Sequence, residues 1–323
     1  MSQPLIIAVP SKGRLEENVA KLFSDAGMPL KRDGARGYKG TLRHIQNVEI
    51  SYLSASEIAN RLKEGAVHFG VTGEDLLREE VPDLDSSIAL VKPLGFGHAD
   101  VVVAIPDAWI DVTHMTDIAE VASEYRQKTG TRMRVATKYI HLAQDFFAQH
   151  GISDYTIVRS FGATEGAPSS GAAEIIVDIT STGATLVANQ LRIPDDGTIL
   201  KSEANLAASL TADWSPMARA AARDILHRIE ARQRATDLRE IQFDIQASDK
   251  LWLDTLIADY DIQLLNAQKS DGMITLLAQE RQVSDITQVL HQRGKTTVSV
   301  RVAEYIFAAQ TESYDKLMTR ITS

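Results

Sequence analysis

Cysteine is absent from the 323-residue sequence, and tryptophan occurs only three times, at Trp109, Trp214 and Trp252. Without cysteine, the chain can form neither a disulfide framework nor a thiolate metal site. The tryptophans are far apart in sequence, so we expect them to pack in the core or at interfaces rather than to form a stacking surface. These absences exclude disulfide-rich scaffolds and cysteine-based zinc modules.

Positive charge and long apolar runs are scarce as well. The sequence has 34 Lys and Arg against 43 Asp and Glu, a formal net charge of -9. Nucleic acid is bound mainly through clustered Lys and Arg, so we expect no nucleic-acid partner. No apolar run approaches the roughly 20 residues of a membrane-spanning helix, and residues 1–4 lack the basic and apolar regions of a signal peptide. We therefore expect a cytoplasmic location and no membrane partner.

Strand-like and helix-like patterns alternate from residue 5 to residue 192, which is the rhythm of parallel α/β sheets. A first unit begins with a predicted buried strand at residues 5–9 and an amphipathic helix at 14–26. A second unit begins with a predicted strand at 99–105. Residues 198–210 follow a polar turn and are expected to run back to the first unit. The pattern therefore predicts two α/β units.

The pattern changes after residue 238. A helix rich in Ala and Arg is predicted at 216–236, where it would act as a connector. The elements predicted beyond it follow the order βαββαβ and end with a helix near 312–319, which is the ferredoxin-like plan. The four predicted strands of this part span residues 240–245, 263–267, 273–279 and 296–303.

A phosphate-binding turn is predicted after a buried strand at residues 175–177. Asp178 lies at the carboxyl end of this strand, where open α/β sheets bind ligands. Gly183 allows a close backbone approach to an anion, and a helix predicted at 186–191 would direct free N–H groups towards it. The turn also contains Thr180, Ser181, Thr182, Ala184 and Thr185.

Asp178 would repel a ligand that carries phosphate alone. A ligand with both a phosphate and sugar hydroxyls removes the conflict, because a carboxylate accepts hydrogen bonds from hydroxyls. Phosphoribosyl pyrophosphate (PRPP) is a ligand of this kind. The alternative interpretation is structural: a strand end, a type I turn and a capped helix.

A second anion site is predicted at Ser11-Lys12-Gly13-Arg14, between the first strand and the first helix. Lys and Arg oppose the dipole at a helix N-terminus, so their presence indicates a bound anion such as a di- or triphosphate. The alternative is a solvated turn in which Ser11 caps the helix.

Three further turns contain candidate residues. Thr72 and Gly73 lie in a turn that fits either backbone contact to a ligand or a tight turn capped by Asp75. Lys138 follows a predicted strand and is either available to a phosphate or an ordinary surface lysine. Glu165 lies in a glycine-rich turn, where it would face a ribose, a metal ion or solvent. The 8 histidines show no metal-ligand spacing, and we interpret them as structural or surface groups.

Together, these segments resemble the signature of the ATP phosphoribosyltransferases, which join ATP and PRPP in histidine biosynthesis. The resemblance covers residues 5–225 and is strongest around the phosphate-binding turn. The matching segments are Gly162-Ala163-Thr164-Glu165-Gly166-Ala167-Pro168, Gly171-Ala172-Ala173-Glu174-Ile175-Ile176-Val177-Asp178, Ser181-Thr182-Gly183-Ala184-Thr185-Leu186, Asn189-Gln190-Leu191, Ser11-Lys12-Gly13-Arg14, Gly70-Val71-Thr72-Gly73-Glu74-Asp75-Leu76-Leu77 and Ala136-Thr137-Lys138-Tyr139-Ile140-His141-Leu142.

The resemblance implies an α/β fold with a two-lobed catalytic core like that of periplasmic binding proteins. Lobe I would comprise residues 1–98 and 193–235, and lobe II residues 99–192. Residues 238–323 would form the ferredoxin-like regulatory domain of the family's long form, with histidine as feedback inhibitor. The implied reaction transfers the phosphoribosyl group to N1 of ATP, with Mg²⁺ on the leaving pyrophosphate. A homo-oligomer is expected.

The resemblance also assigns roles to single residues. Asp178 and Glu165 are the catalytic residues expected near the ribose, and Arg14 is the one expected on a phosphate. No protein metal ligand is assigned. The expected substrate-binding residues are Lys12, Gly13, Thr72, Gly73, Lys138, Ser181, Thr182, Gly183, Ala184 and Thr185.

Two positions depart from the family pattern. Many members have Arg where Ser54 stands, and Cys-Arg where Ala99-Asp100 stands. Both positions are expected near the cleft, so they motivate the alternative of a non-catalytic regulatory or ligand-binding paralogue. A nucleobase phosphoribosyltransferase is a second alternative. Those enzymes usually have two adjacent acids before the Thr-Gly turn, whereas Val177 precedes Asp178 here.

Overall fold

Two sheets of the computed structural model, which describes residues 3–34, 37–265 and 271–322, form two α/β lobes. Lobe I begins with β1, which is parallel to both of its neighbours in the sheet. The elements of its first part are β1 (Leu5–Pro10), α1 (Gly13–Asp25), β2 (Leu30–Arg32), β3 (Lys39–Leu42), β4 (Val48–Leu53), α2 (Ala55–Lys63), β5 (Phe69–Gly73), α3 (Glu74–Glu80), α4 (Leu84–Ser87) and β6 (Ile88–Pro93).

Strand β1 is buried on both faces of its sheet. Leu5, Ile7 and Val9 belong to one hydrophobic cluster, and Ala8 belongs to another on the opposite face. Burial on both faces explains why this strand is a continuous apolar run rather than an alternating one.

Lobe II is built on the second sheet, in which β8 is parallel to β9 and β10 while β7 is antiparallel to β10. Its core includes Val135, Phe147 and Val177, all fully buried. Its elements are β7 (Asp100–Pro106), α5 (Met115–Thr129), β8 (Met133–Thr137), α6 (Ile140–Gln149), β9 (Tyr155–Arg159), β10 (Ile175–Thr180), α7 (Ala184–Ala188), β11 (Leu191–Arg192) and β12 (Thr198–Leu200).

The chain returns to lobe I later than the resemblance implied. Strand β12 still pairs with β7 of lobe II. The next strand, β13 (Ala204–Ser209), lies between β5 and β6 in lobe I. The crossing therefore lies between Leu200 and Ala204 and not at residue 193. The sheet of lobe I has the order β2-β3-β4-β1-β5-β13-β6, and that of lobe II has the main order β11-β7-β10-β8-β9.

A third sheet follows the long helix α8 (Pro216–Asp237). Its order is β15-β16-β14-β17, and its paired strands are antiparallel. Residues 266 and 267 of one predicted strand lie outside the described residues, and the strand predicted at 296–303 is reduced to β17. The remaining elements are β14 (Leu238–Ile245), α9 (Lys250–Tyr260), β15 (Gln263–Leu264), β16 (Gly272–Gln279), α10 (Val283–Gln292), β17 (Ser299–Arg301) and α11 (Glu312–Thr322).

Helix α11 packs on lobe I and not on the third sheet. Tyr314 and Leu317 are buried in the main cluster of lobe I. The Ser313 hydroxyl donates a hydrogen bond of 2.5 Å to the Glu230 carboxylate of α8. The unit predicted at 238–323 is therefore divided between the third sheet and lobe I. Among the described residues, no helix is both long enough and apolar enough to cross a membrane.

Candidate active site

Two parallel strands of lobe II, β8 and β9, end at one edge of the sheet, while β10, the parallel neighbour of β8, continues three residues further to Thr180, and a cavity lies there. The register pairs Thr137 of β8 with Val177 of β10 and with Arg159 of β9. The residues directly after these three strand positions border the same cavity of about 440 Å³. Its lining residues are Lys138, Ser160, Phe161, Gly162, Ala163, Thr164, Asp178 and Ile179.

The cavity brings together two of the predicted residues, Asp178 and Lys138, whose charges are opposite. Asp178 is half-buried, and one carboxylate oxygen accepts a hydrogen bond of 2.8 Å from the Ile179 N–H. Lys138 is exposed, and its ammonium lies 4.9 Å from the centroid of the Tyr139 ring. A cation beside a carboxylate acceptor can bind a phosphate and sugar hydroxyls of one ligand at the same time.

The turn after β10 is held in shape by its own hydroxyls. Gly183 has a φ of +75°, a backbone conformation that favours glycine. Its N–H donates to the Thr180 hydroxyl at 2.8 Å, while the Ser181 hydroxyl donates to the His98 carbonyl at 2.8 Å. Thr182 is exposed and accepts a longer contact, 3.4 Å, from the Ala184 N–H. Thr185 is exposed as well.

The helix predicted at 186–191 is wrong in length and position. Helix α7 has five residues, Ala184–Ala188. It ends because Gln190 takes a positive φ of 56° and the chain continues into β11. A helix this short contributes little dipole, so any anion at this turn must be bound by individual N–H and hydroxyl groups.

Glu165 lies beside the cavity on a single 3₁₀ turn, Thr164–Gly166, and is half-buried. The neighbouring Thr164 is buried, and its hydroxyl donates to the Ser160 hydroxyl at 2.9 Å. This contact ties the Glu165 turn to the loop after β9, which borders the cavity.

The lobe I cations Lys12 and Arg14 are exposed, and no hydrogen bond or ion pair is recorded for either within the described residues. Helix α1 begins at Gly13, whose φ is +79°. The capping position is Lys12 and not Ser11, and it makes no side-chain capping bond. The cavity that contains Asp178 is lined by lobe II residues alone.

Thr72 and Gly73 have internal partners in place of an open ligand site. Thr72 is fully buried, and its hydroxyl donates to the Ala55 carbonyl at 3.0 Å. A Cβ on Gly73 would lie 2.1 Å from an Asp75 carboxylate oxygen, so the glycine makes room for that carboxylate. Asp75 does not cap its own turn, because its carboxylate contacts Ser202 and Tyr139.

The two departures from the family pattern lie at the starts of regular elements. The Ser54 hydroxyl accepts a hydrogen bond of 3.3 Å from the Glu57 N–H and so caps α2. Asp100 begins β7 and pairs with Thr180 of β10.

The sequence interpretation missed a second cavity, which adjoins the first through Lys138, Ser160 and Phe161. This cavity also has a volume of about 440 Å³. Phe161 is 92% exposed, the largest exposed fraction among the large apolar side chains of the described residues. In the sequence, the one indication that Phe161 belongs to the site is its position just after a third parallel strand. The remaining lining residues are Glu79, Glu80, Ile140, His141 and Arg159.

Comparisons with known proteins identify the family of the chain. A family model described as ATP phosphoribosyltransferase matches residues 54–231, more than half of the chain. Over 319 residues, 98% of each chain, the protein is 50% identical to an ATP phosphoribosyltransferase of Bradyrhizobium diazoefficiens. It is 51% identical over the same share to an enzyme of the same name from another Bradyrhizobium. The chain belongs to the ATP phosphoribosyltransferase family.

The fold agrees with a solved structure of the family. The structure titled "ATP phosphoribosyl transferase (HisG:HisZ) complex from Thermotoga maritima" superposes with a TM-score of 0.54 and 22% identity. The alignment covers 70% of this chain and 96% of that one. The family match at 54–231 includes both cavities and excludes Lys12 and Arg14.

Proposed function

We propose that the chain transfers the 5-phosphoribosyl group of PRPP to N1 of ATP and releases pyrophosphate, the first step of histidine biosynthesis. Family membership supports the reaction. The single structural observation that supports its location is the cavity in which Lys138 and Asp178 meet. The Asp178 carboxylate accepts from the ribose hydroxyls, and Lys138 pairs with a phosphate.

The bonding changes require little proton transfer. The bond between C1 of the ribose and the pyrophosphate oxygen breaks, and pyrophosphate leaves with the electron pair. The lone pair of adenine N1 forms the new bond to C1 with inversion, so no strong general base is needed. The transition state resembles an oxocarbenium ion, whose positive charge the nearby Asp178 carboxylate stabilises. Orientation of the two substrates can contribute up to about 7–11 kcal/mol.

The remaining predicted residues have roles around this centre. The turn that binds the 5-phosphate contains Ser181, Thr182, Gly183, Ala184 and Thr185. The exposed Thr182 and Thr185 hydroxyls donate to the phosphate. The Ser181 hydroxyl and the Gly183 N–H keep the turn in shape. Glu165 lies close to the ribose, on the half-buried turn beside the cavity. Lys12, Gly13 and Arg14 bind a phosphate from lobe I, which two exposed cations can do without breaking an existing contact. Thr72 and Gly73 have no place in this proposal because of their internal partners.

Mg²⁺ belongs to this proposal as part of the substrates. The described residues contain no group of three or more His, Asp or Glu that could hold a metal ion. Mg²⁺ usually keeps several waters and binds substrate phosphates together with only one or two protein carboxylates. A Mg²⁺ that enters on the pyrophosphate therefore needs no group of three protein ligands. There it would neutralise the leaving group.

The module from residue 238 to 301 is proposed as a ferredoxin-like domain that binds histidine as feedback inhibitor. Its support is the βαββαβ order with the strand order β15-β16-β14-β17. The homo-oligomer and the likeness of the two lobes to periplasmic binding proteins stay predictions.

Release of pyrophosphate from ATP plus PRPP, with each substrate omitted in turn, tests the proposed reaction. We expect release only when both are present. PRPP binding without turnover would favour the non-catalytic paralogue, which the comparisons do not support. Release with free adenine in place of ATP would favour a nucleobase phosphoribosyltransferase.

A further inference from the structure

Helix α3 of lobe I contacts the turn of lobe II that contains Lys138. Asp75 and Glu79 are one helical turn apart on α3, so they lie on the same face. Both are buried, with 5% and 8% of their surface exposed. Burial of a carboxylate costs free energy unless the carboxylate is hydrogen-bonded, so the hydrogen-bond partners of Asp75 and Glu79 indicate the role of this face.

Asp75 binds the Tyr139 hydroxyl across the two lobes. One carboxylate oxygen of Asp75 accepts a hydrogen bond of 2.7 Å from the Tyr139 O–H. The other accepts one of 3.0 Å from the Ser202 hydroxyl, in the crossing back to lobe I. Burial and the nearby Asp75 charge raise the pKa of Tyr139 well above its usual range, so the hydroxyl remains a donor.

Glu79 caps helix α6 from the other lobe. One carboxylate oxygen accepts from the Ile140 N–H at 2.8 Å and the His141 N–H at 3.1 Å. The other accepts from the Leu142 N–H at 3.1 Å. The residue in the usual capping position, Tyr139, makes no side-chain capping bond. Glu79 therefore satisfies N–H groups that would otherwise lack partners, and its charge suits the positive end of α6.

These contacts fix the turn on both sides of Lys138. Thr137 before it is fully buried, and its hydroxyl accepts from the Tyr139 N–H at 2.8 Å. The Lys138 ammonium lies 4.9 Å from the centroid of the Tyr139 ring, a distance at which the ring attracts a cation. From residue 137 to residue 139, Lys138 alone is exposed.

We infer that Tyr139 is a positioning residue that directs the Lys138 ammonium into the cavity containing Asp178. Tyr139 is held across the lobes by Asp75 directly and by the Glu79 cap on the helix that follows it. This rests on the proposed function, because it takes Lys138 as a phosphate ligand. The contacts cross between the lobes, so a change in their relative position moves Lys138. Substrate binding and the arrangement of the lobes are thereby coupled.

A double-mutant cycle tests this role. Tyr139→Phe keeps the ring and removes the hydroxyl that Asp75 binds. We expect the Kd for PRPP, measured by calorimetry, and its KM to rise about tenfold, the effect of one hydrogen bond to a charged group. In a Lys138→Ala background the same change should alter the Kd less than twofold, because Tyr139 acts through Lys138. Asp75→Asn should reproduce the Tyr139→Phe effect.

Tyr125→Phe is the matched control. It also removes a hydrogen bond between a tyrosine hydroxyl and a carboxylate, 3.1 Å to Glu174, but this bond lies within lobe II. We expect it to leave the Kd for PRPP within twofold of the wild-type value. An equal rise in Kd for Tyr139→Phe with and without Lys138 would overturn the inference, as would no rise at all. A wild-type protein that binds PRPP without turnover would contradict the proposed function alone, since the cycle is measured on binding.

Discussion

At the scale of single residues, the pairing of Asp178 with Lys138 follows from strand register. Both residues come directly after positions that pair in parallel, Val177 and Thr137. The sequence could predict this much because a polar, charged residue follows the apolar positions of each predicted strand, close to its carboxyl end. It could not predict the setting of Thr72 and Gly73, because the space at Gly73 is taken by the Asp75 carboxylate, which is a tertiary contact.

Removing the Asp178 charge should weaken PRPP binding selectively. Asp178→Asn deletes a charged acceptor for the ribose hydroxyls, worth about 1.5–3 kcal/mol or roughly 10- to 100-fold in Kd. Calorimetry should show this loss for PRPP and little change for ATP. Asp145→Asn, at an exposed position on α6, serves as the control for lost charge. Equal losses for both substrates would count against the assignment.

Phe161 should determine affinity for the acceptor purine. Its ring is 92% exposed where the two cavities adjoin, and stacking of a base on an aromatic side chain contributes about 1–3 kcal/mol. Phe161→Ala should raise the KM for ATP roughly 5- to 100-fold, whereas Phe161→Tyr should stay close to wild type. Ile110→Ala removes another exposed apolar side chain, 78% exposed, and should have no effect. A change in the KM for PRPP alone would contradict this role.

At the scale of elements, sequence patterns predict buried strands better than short helices and edges. The strand β10 is predicted because its apolar run is buried, whereas α7 depends on a positive φ at Gln190. The strand predicted at 296–303 is shorter in the structure, where β17 covers only Ser299–Arg301. Val300 and Val302 are 43% and 68% exposed, so burial does little to extend that strand.

The junction of β1 and β5 in lobe I should respond to pH through His68. This buried imidazole accepts from the Ile6 N–H at 3.0 Å and lies 2.9 Å from the Asp213 carbonyl, so it is neutral with its proton on Nε2. Burial lowers the pKa of His68 below its usual value of 6.5. As the pH falls, His68 therefore becomes protonated in the unfolded chain at a higher pH than in the folded chain. The stability that the neutral imidazole contributes above pH 6.5 is lost as the pH falls below that value.

Urea unfolding of wild type and His68→Gln between pH 8 and pH 5 measures this contribution. We expect wild type to lose more stability than the variant as the pH falls below 6.5. His291→Gln, at an exposed position on α10, should keep the wild-type profile. Parallel pH profiles of the free energy of unfolding for wild type and His68→Gln would show that a group other than His68 causes the loss of stability.

At the scale of the whole molecule, the C-terminal part is joined to lobe I at several places. The Tyr305 hydroxyl donates to the Asp25 carbonyl at 3.1 Å, and the Ile306 N–H donates to the Ala231 carbonyl at 3.0 Å. Helix α11 completes the lobe I core. The sequence predicted the helix but not this docking, since an amphipathic pattern does not identify its partner. Truncation after Arg234 would cut α8 and expose this core.

Histidine inhibition should therefore be tested on the full-length chain. We expect millimolar-range histidine to reduce turnover several-fold, since typical couplings are about 1–3 kcal/mol. Tyr305→Phe should weaken the inhibition more than it weakens histidine binding, because it removes one link between lobe I and the segment that directly follows the module. Because coupling between binding sites is reciprocal, PRPP should change the Kd for histidine by the factor by which histidine changes the Kd for PRPP. A full-length chain indifferent to histidine would rule out the sensing role.

A crystal structure of the chain with bound PRPP tests the central claim most directly. The account predicts the ribose hydroxyls within hydrogen-bond distance of Asp178, the 5-phosphate on the N–H and hydroxyl groups of residues 181–185, and the Lys138 ammonium on a phosphate. PRPP bound at residues 11–14, with no contact to Asp178 or to the turn after β10, would contradict it.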